Sequence, residues 1–214
     1  MAHITLLELI TVTISLLVAL IYHFHLFCKV RRSPLTTAIG IMNDSRRQWV
    51  ESVILKERDI LAIQTMRNWV MAATFLASTS ILISLGLISA ALRPGVINEI
   101  TTSLNFIGSV NEALFTVKLL VLLFLFFISF FNFTIAIRYY NHAGVTINIT
   151  ANNKEGLEAE KITQTLNAGA LHYTIGVRCF YLAIPTSMWL FGPLWMLVSS
   201  LILFFVLCRL DCST

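Results

Sequence analysis

The chain has 214 residues, 57% of them hydrophobic and 12% charged, with a formal net charge of +4 and a mean hydropathy of +0.81. A soluble globular domain carries about 25% charged residues, so this composition excludes one and predicts an all-α protein with lipid as its solvent. The basic excess lies beside apolar stretches and calls for no nucleic acid partner, and four scattered cysteines exclude a disulfide scaffold.

The first predicted span covers residues 4–27, long enough for a hydrocarbon core of about 30 Å. It has no basic region ahead of it and no small-residue cleavage site, so it reads as a retained span rather than a cleaved signal. Eight Lys/Arg follow it: Lys29, Arg31, Arg32, Arg46, Arg47, Lys56, Arg58 and Arg67. Ser33-Pro34 separates span one from this basic arm, and Asn43 or Asp44 supplies an N-cap for the arm helix. Between residues 46 and 64, Trp49, Val50, Val53, Ile54, Ile60 and Leu61 share one helical stripe, while Arg47, Glu51, Arg58 and Asp59 sit opposite. The arm, residues 43–67, is thus predicted as an amphipathic interfacial helix on the cytoplasmic leaflet, where anionic lipid attracts it.

No Pro or Gly occurs between Met42 and Leu85, so the arm either runs straight into span two (69–92) or bends near Arg67-Asn68. Span two carries small residues four apart (Ala73 and Ala77, Ser80 and Ser84, Gly86 and Ala90), a spacing that lets helices approach closely in lipid. Arg93-Pro94-Gly95 ends it, and residues 96–112 form a modestly polar connector. Span three, 113–137, is dense in Phe and Leu and closes on Arg138-Tyr139-Tyr140, an interfacial anchor. Asn152-Asn153 with Glu155, Glu158 and Glu160 then opens a cytoplasmic helix over 154–179, striped by Ile162, Leu166, Gly169, Tyr173, Val177 and Phe180. It leads into span four, 180–207, where Pro185 and Gly192-Pro193 predict a kinked or broken helix.

With the arm inside, cytoplasmic segments hold twelve Lys/Arg and the opposite side only Arg93 and Arg209. That asymmetry predicts four spans with both termini on the non-cytoplasmic side. With no internal repeat, low-complexity tract or separate soluble domain, residues 1–214 are expected to form one four-helix bundle, and a bacterial inner membrane is its expected setting.

Several runs carry a family resemblance: Arg46-Arg47-Gln48-Trp49-Val50; Gln64-Thr65-Met66-Arg67-Asn68 leading into Ala72-Ala73-Thr74-Phe75-Leu76-Ala77-Ser78; the 130–140 stretch with Arg138-Tyr139; and Gly176-Val177-Arg178-Cys179-Phe180-Tyr181 followed by Trp189-Leu190-Phe191-Gly192-Pro193. Together they resemble the domain of unknown function 599 family, a group of small polytopic membrane proteins. The resemblance implies a multi-pass membrane fold and brings no catalytic residues with it.

Three constellations are candidates for chemistry. Glu8 and Lys118 are charges within apolar runs at similar depth, which predicts an intramembrane ion pair, with Glu112 as the competing partner. Such a pair is either a helix–helix staple or part of an ion path. Arg67, Arg138 and Arg178 fall near one interface and form a candidate site for an anion or a lipid headgroup. His23, His142 and His172 lie at the ends of predicted spans, and Cys208 and Cys212 stand one turn apart at the other side, which makes them candidate ligands for haem, copper or zinc. No His-x3-His or Glu-x-x-His spacing accompanies them, so interfacial histidines and an unliganded tail are the simpler reading and no cofactor is expected. Three functions follow in order: a non-enzymatic structural or accessory subunit, as a homo-oligomer or within a larger membrane complex; an oligomeric channel or transporter for a small ion or solute; and a haem- or copper-binding redox component.

Overall fold

A chain that lies in hydrocarbon must satisfy its backbone internally, and long apolar helices do so. The computed structural model describes residues 2–56, 59–92, 112–150 and 156–212. Among them are six α-helices: α1 (Ala2–Arg32), α2 (Ala38–Leu55), α3 (Asp59–Ala91), α4 (Glu112–Thr150), α5 (Gly156–Met188) and α6 (Pro193–Cys212). Four of these, α1, α3, α4 and α6, are long and apolar enough to cross a membrane, which makes the chain a multi-pass membrane protein.

Helices α4 and α5 pack closest. Ser129 Oγ donates to the Gly176 carbonyl at 2.9 Å, and a Cβ on Gly176 would come within 2.8 Å of the Phe133 ring. At Gly169 a Cβ would meet Tyr140 at 2.9 Å. Two glycines seven residues apart thus set the backbone approach, with no room for any side chain. Helix α3 covers the other side of α4 through its small residues: Ala73, Ala77, Ser80 and Ser84 are all buried. Those four residues of the stripe are used inside the chain's own bundle, whereas Gly86 is exposed. Helices α1 and α6 pair through Tyr22, Leu26 and Leu207.

The arm differs from its predicted course. Helix α2 starts at Ala38, capped by Thr37, whose side chain accepts from Gly40 N–H, rather than at Asn43 or Asp44. It ends at Leu55, well short of Gln64. The physical reason lies in the packing of two tryptophans. Trp49 and Trp69 have ring centroids 5.5 Å apart, whereas 20 residues of continuous helix would separate them by about 30 Å. The chain therefore folds back between α2 and α3, and Val50, Val53 and Ile54 join one core with Ala62, Met66, Tyr140, Ile147, Ile162 and Leu166. Burial of that core outweighs the absence of any helix breaker in the sequence. Ile60 and Leu61, expected on the same stripe, are exposed on α3.

The stretch 180–207 is not one span. Helix α5 runs through residue 179 without interruption to Met188, and α6 starts at Pro193. In between, Leu190, Phe191 and Gly192 N–H groups bond to the carbonyls of Ser187, Met188 and Trp189, a 3₁₀-type tightening of the helix end. Gly192 has φ 143°, a region that favours glycine, and its carbonyl accepts from Met196 N–H to start α6. Pro193 takes the first helical position, where no donor is lost. The chain reverses here, because Arg178 and Asp211 meet at 2.7 Å although 33 helical residues in line would span about 50 Å.

This reversal changes the topology. The Glu8 end of α1 lies with the start of α4 and the α5–α6 turn, while Leu207 and Cys208 of α6 pack with Leu26 and Val30 of α1 and Ile39 of α2, at the arm end. The start of α1 and the end of α6 thus sit at opposite ends of the bundle, not on one side.

Candidate functional site

Charges drawn into a membrane bundle must be paired, and one buried pair and one partly buried pair tie this one together. At the end far from the arm, Lys118 Nζ stands 3.0 Å from Glu8 Oε1, with side chains only 3% and 6% exposed. Nζ also donates to the Trp189 carbonyl at 3.2 Å and lies 5.1 Å from the Trp189 ring centroid. One ammonium therefore joins α1, α4 and the α5–α6 turn, which is where a fixed reversal is needed. The side chain of Glu112, the alternative partner, lies outside the described residues.

About 21 Å further along α1, fourteen residues on, stands a second cluster. Arg178 Nη2 donates to Asp211 Oδ2 at 2.7 Å, and the Tyr22 hydroxyl donates to the same oxygen. The Arg178 guanidinium lies 5.9 Å from the Tyr22 ring centroid, and its buried Nη1 has no hydrogen-bond partner within the chain. This cluster joins α1, α5 and α6. Asp211 and Tyr22 were not among the residues singled out from sequence. The available signal was that Asp211 is the one acidic residue after Glu160, and an arginine within a helix that enters the bundle needs a counter-charge.

The three arginines expected together do not converge. Arg67 and Arg138 are exposed, on α3 and α4. Arg138 lies level with Gly169 and Ala170 of α5, given that Tyr140 meets Gly169 and Asn132 meets His172. Arg178 is eight residues further along, about 12 Å deeper, and is occupied by Asp211. The interhelical packing of α4 and α5 decides these depths.

The candidate metal ligands are also scattered. His23 Nδ1 bonds the Ala19 carbonyl of its own helix at 2.7 Å. His172 Nδ1 bonds Asn132 Oδ1 at 2.9 Å and stacks on Tyr139, centroids 5.7 Å apart. His142 is exposed on α4, ten residues beyond Asn132. Cys208 packs beside Tyr22 and Leu207 at the arm end, not on the opposite side as expected, and the Cys212 side chain lies outside the described residues. Among the described residues no group of three His, Cys, Asp or Glu is placed to hold a metal.

A guanidinium that sequence reading left among the arm charges proves to be partly buried. Arg46 Nε donates to Asn167 Oδ1 at 2.8 Å, and its Nη2 donates to Asn43 Oδ1. Desolvation by burial lowers its pKa from the usual arginine value. It lines an open groove of about 560 Å³ between α2 and α5 that reaches Arg178 and Asp211.

No curated protein and no solved structure matches the chain. A family model described as a protein of unknown function, DUF599, matches residues 10–214. With nearly the whole length covered, the chain belongs to the domain of unknown function 599 family.

Proposed function

We propose that this chain is a non-enzymatic multi-pass membrane protein that serves as a structural or accessory subunit of a membrane assembly. The observation that carries this reading is the use made of the buried charges. Glu8 with Lys118 at one end, and Arg178 with Asp211 at the other, are paired with each other across helices. Such pairs fix geometry at a cost in desolvation, which suits a rigid scaffold. Much large apolar side-chain area faces outward, including Phe75, Leu82, Phe124, Phe131 and Phe205, and is covered by lipid or by neighbouring subunits.

Five crossings suit the bundle better than four. Helix α5 is less apolar than the other four, yet it lies between α4 and α6 with its arginine neutralised, an arrangement that hydrocarbon tolerates. The basic arm then occupies the cytoplasmic face together with Asp211 and Arg209, and the Glu8 end faces the other side.

The experiment is the mass and composition of the assembly extracted gently from its native membrane. A fixed homo-oligomer or a stoichiometric partner is expected. Persistent monomers would contradict the reading.

A further inference from the structure

Arg46 is the unusual charge in this bundle. Burial of a cation without an opposite charge is costly, and Lys118 and Arg178, the two cations drawn into the bundle between helices, each have a carboxylate beside them. Arg46 has two neutral amide oxygens, from Asn43 and Asn167, and among the described residues no carboxylate lies within 4 Å of it. Its sequence neighbour Asp44 is taken by Arg47 and Gln48, at 2.9 and 2.8 Å. The amides orient the guanidinium and leave its charge unneutralised.

That charge stands at the junction of two cavities. The groove of about 560 Å³ between α2 and α5 and a neighbouring one of about 240 Å³ share Met42, Arg46, Ala170 and Thr174 as walls. The larger holds Arg178 at its deep end, with one guanidinium nitrogen still unpartnered. Asp211 already balances Arg178, so the groove carries a net charge of one from Arg46. The remaining walls include Val30, Ile39 and Leu171, which are apolar. The combined volume suits a small organic ligand.

We propose that this groove binds the headgroup of an anionic phospholipid, with the phosphodiester on Arg46 and the acyl chains along the apolar walls. A phosphodiester carries the single negative charge the groove lacks, and guanidinium with phosphate forms paired, charge-assisted hydrogen bonds. The apolar walls and the position beside the basic arm favour a lipid over a soluble anion.

The test uses the full chain reconstituted in phosphatidylcholine vesicles, with tryptophan quenching by brominated lipid as the readout. Trp69 lines the smaller cavity, which shares Met42, Arg46, Ala170 and Thr174 with the groove, so acyl chains that extend over these shared walls come beside it. Brominated phosphatidylglycerol at low mole fraction is expected to be preferred over brominated phosphatidylcholine by about tenfold, the value of one charge-assisted contact. Arg46→Gln should abolish the preference. Arg47→Gln, at an exposed arginine of the same helix, should leave it intact. Arg46→Gln removes an uncompensated charge, so in phosphatidylcholine alone it should melt no lower than wild type. Equal quenching by the two lipids in the wild-type protein would overturn the proposal without recourse to any variant. So would a preference that survives Arg46→Gln, since general attraction to the arm would then explain it. Displacement by added inorganic phosphate would assign the site to a soluble anion and overturn the lipid.

Discussion

Arg178 and Asp211 are 33 residues apart in sequence and 2.7 Å apart in space, and that contact dictates where α6 lies. Asp211→Asn should leave the Arg178 guanidinium without its counter-charge inside the bundle. The expected loss is about 3–5 kcal/mol, the usual cost of half a buried pair. Thermal unfolding in detergent, followed by circular dichroism, reads it. The double variant Arg178→Met with Asp211→Leu should recover most of that loss, because no orphaned charge remains.

Lys118→Met should be equally costly, about 3–5 kcal/mol, because Glu8 would be left as a buried carboxylate beside an apolar side chain. A double-mutant cycle with Glu8→Gln separates the pair from its parts. A coupling near zero would show that Lys118 acts through the Trp189 carbonyl alone.

Gly176→Ala should loosen the α4–α5 contact. The new methyl would meet a fully buried Phe133 ring at 2.8 Å, so the helices must part or the ring must leave its place. Overpacking of this kind costs about 1–3 kcal/mol. Gly86→Ala, with nothing within 4 Å of its would-be Cβ, serves as the control and should be neutral or slightly stabilising. Melting temperatures of the two variants compared side by side decide the point.

Gly192→Ala should strain the turn that reverses α5 into α6. At φ 143° an L side chain is disfavoured, and the expected cost is about 1–3 kcal/mol. Urea or SDS titration of the variant against wild type measures it. The loss should exceed that of Gly144→Ala, whose nearest neighbour is a flexible Met66 thioether at 3.8 Å.

Much of the helix content can be read directly from the sequence, because lipid imposes long apolar runs and the runs are plain to see. The Glu8–Lys118 contact can be read from depth alone, each being a charge within an apolar stretch of matching register. The reversal at Trp189–Gly192 cannot be read that way. Apolar residues flank Gly192-Pro193 on both sides and no charge marks an interface, so hydropathy merges two helices into one span. The end of α2 at Leu55 is equally silent, since only the packing of Trp49 on Trp69 demands it. Arg46 reads as one arm charge among eight. Its burial depends on α5 lying across α2, a tertiary fact with no local signature.

The account rests on the reversal between α5 and α6, and side-specific thiol labelling tests it most directly. Cys28, Cys179 and Cys208 would be replaced by alanine, leaving Cys212 as the label site in one protein and Ala2→Cys, with Cys212 also replaced, in another. A membrane-impermeant maleimide applied to one face of sealed vesicles should reach one of these sites and not the other, with the pattern exchanged in inverted vesicles. Labelling of both sites from the same face would contradict the reversal and restore a single span over residues 180–207.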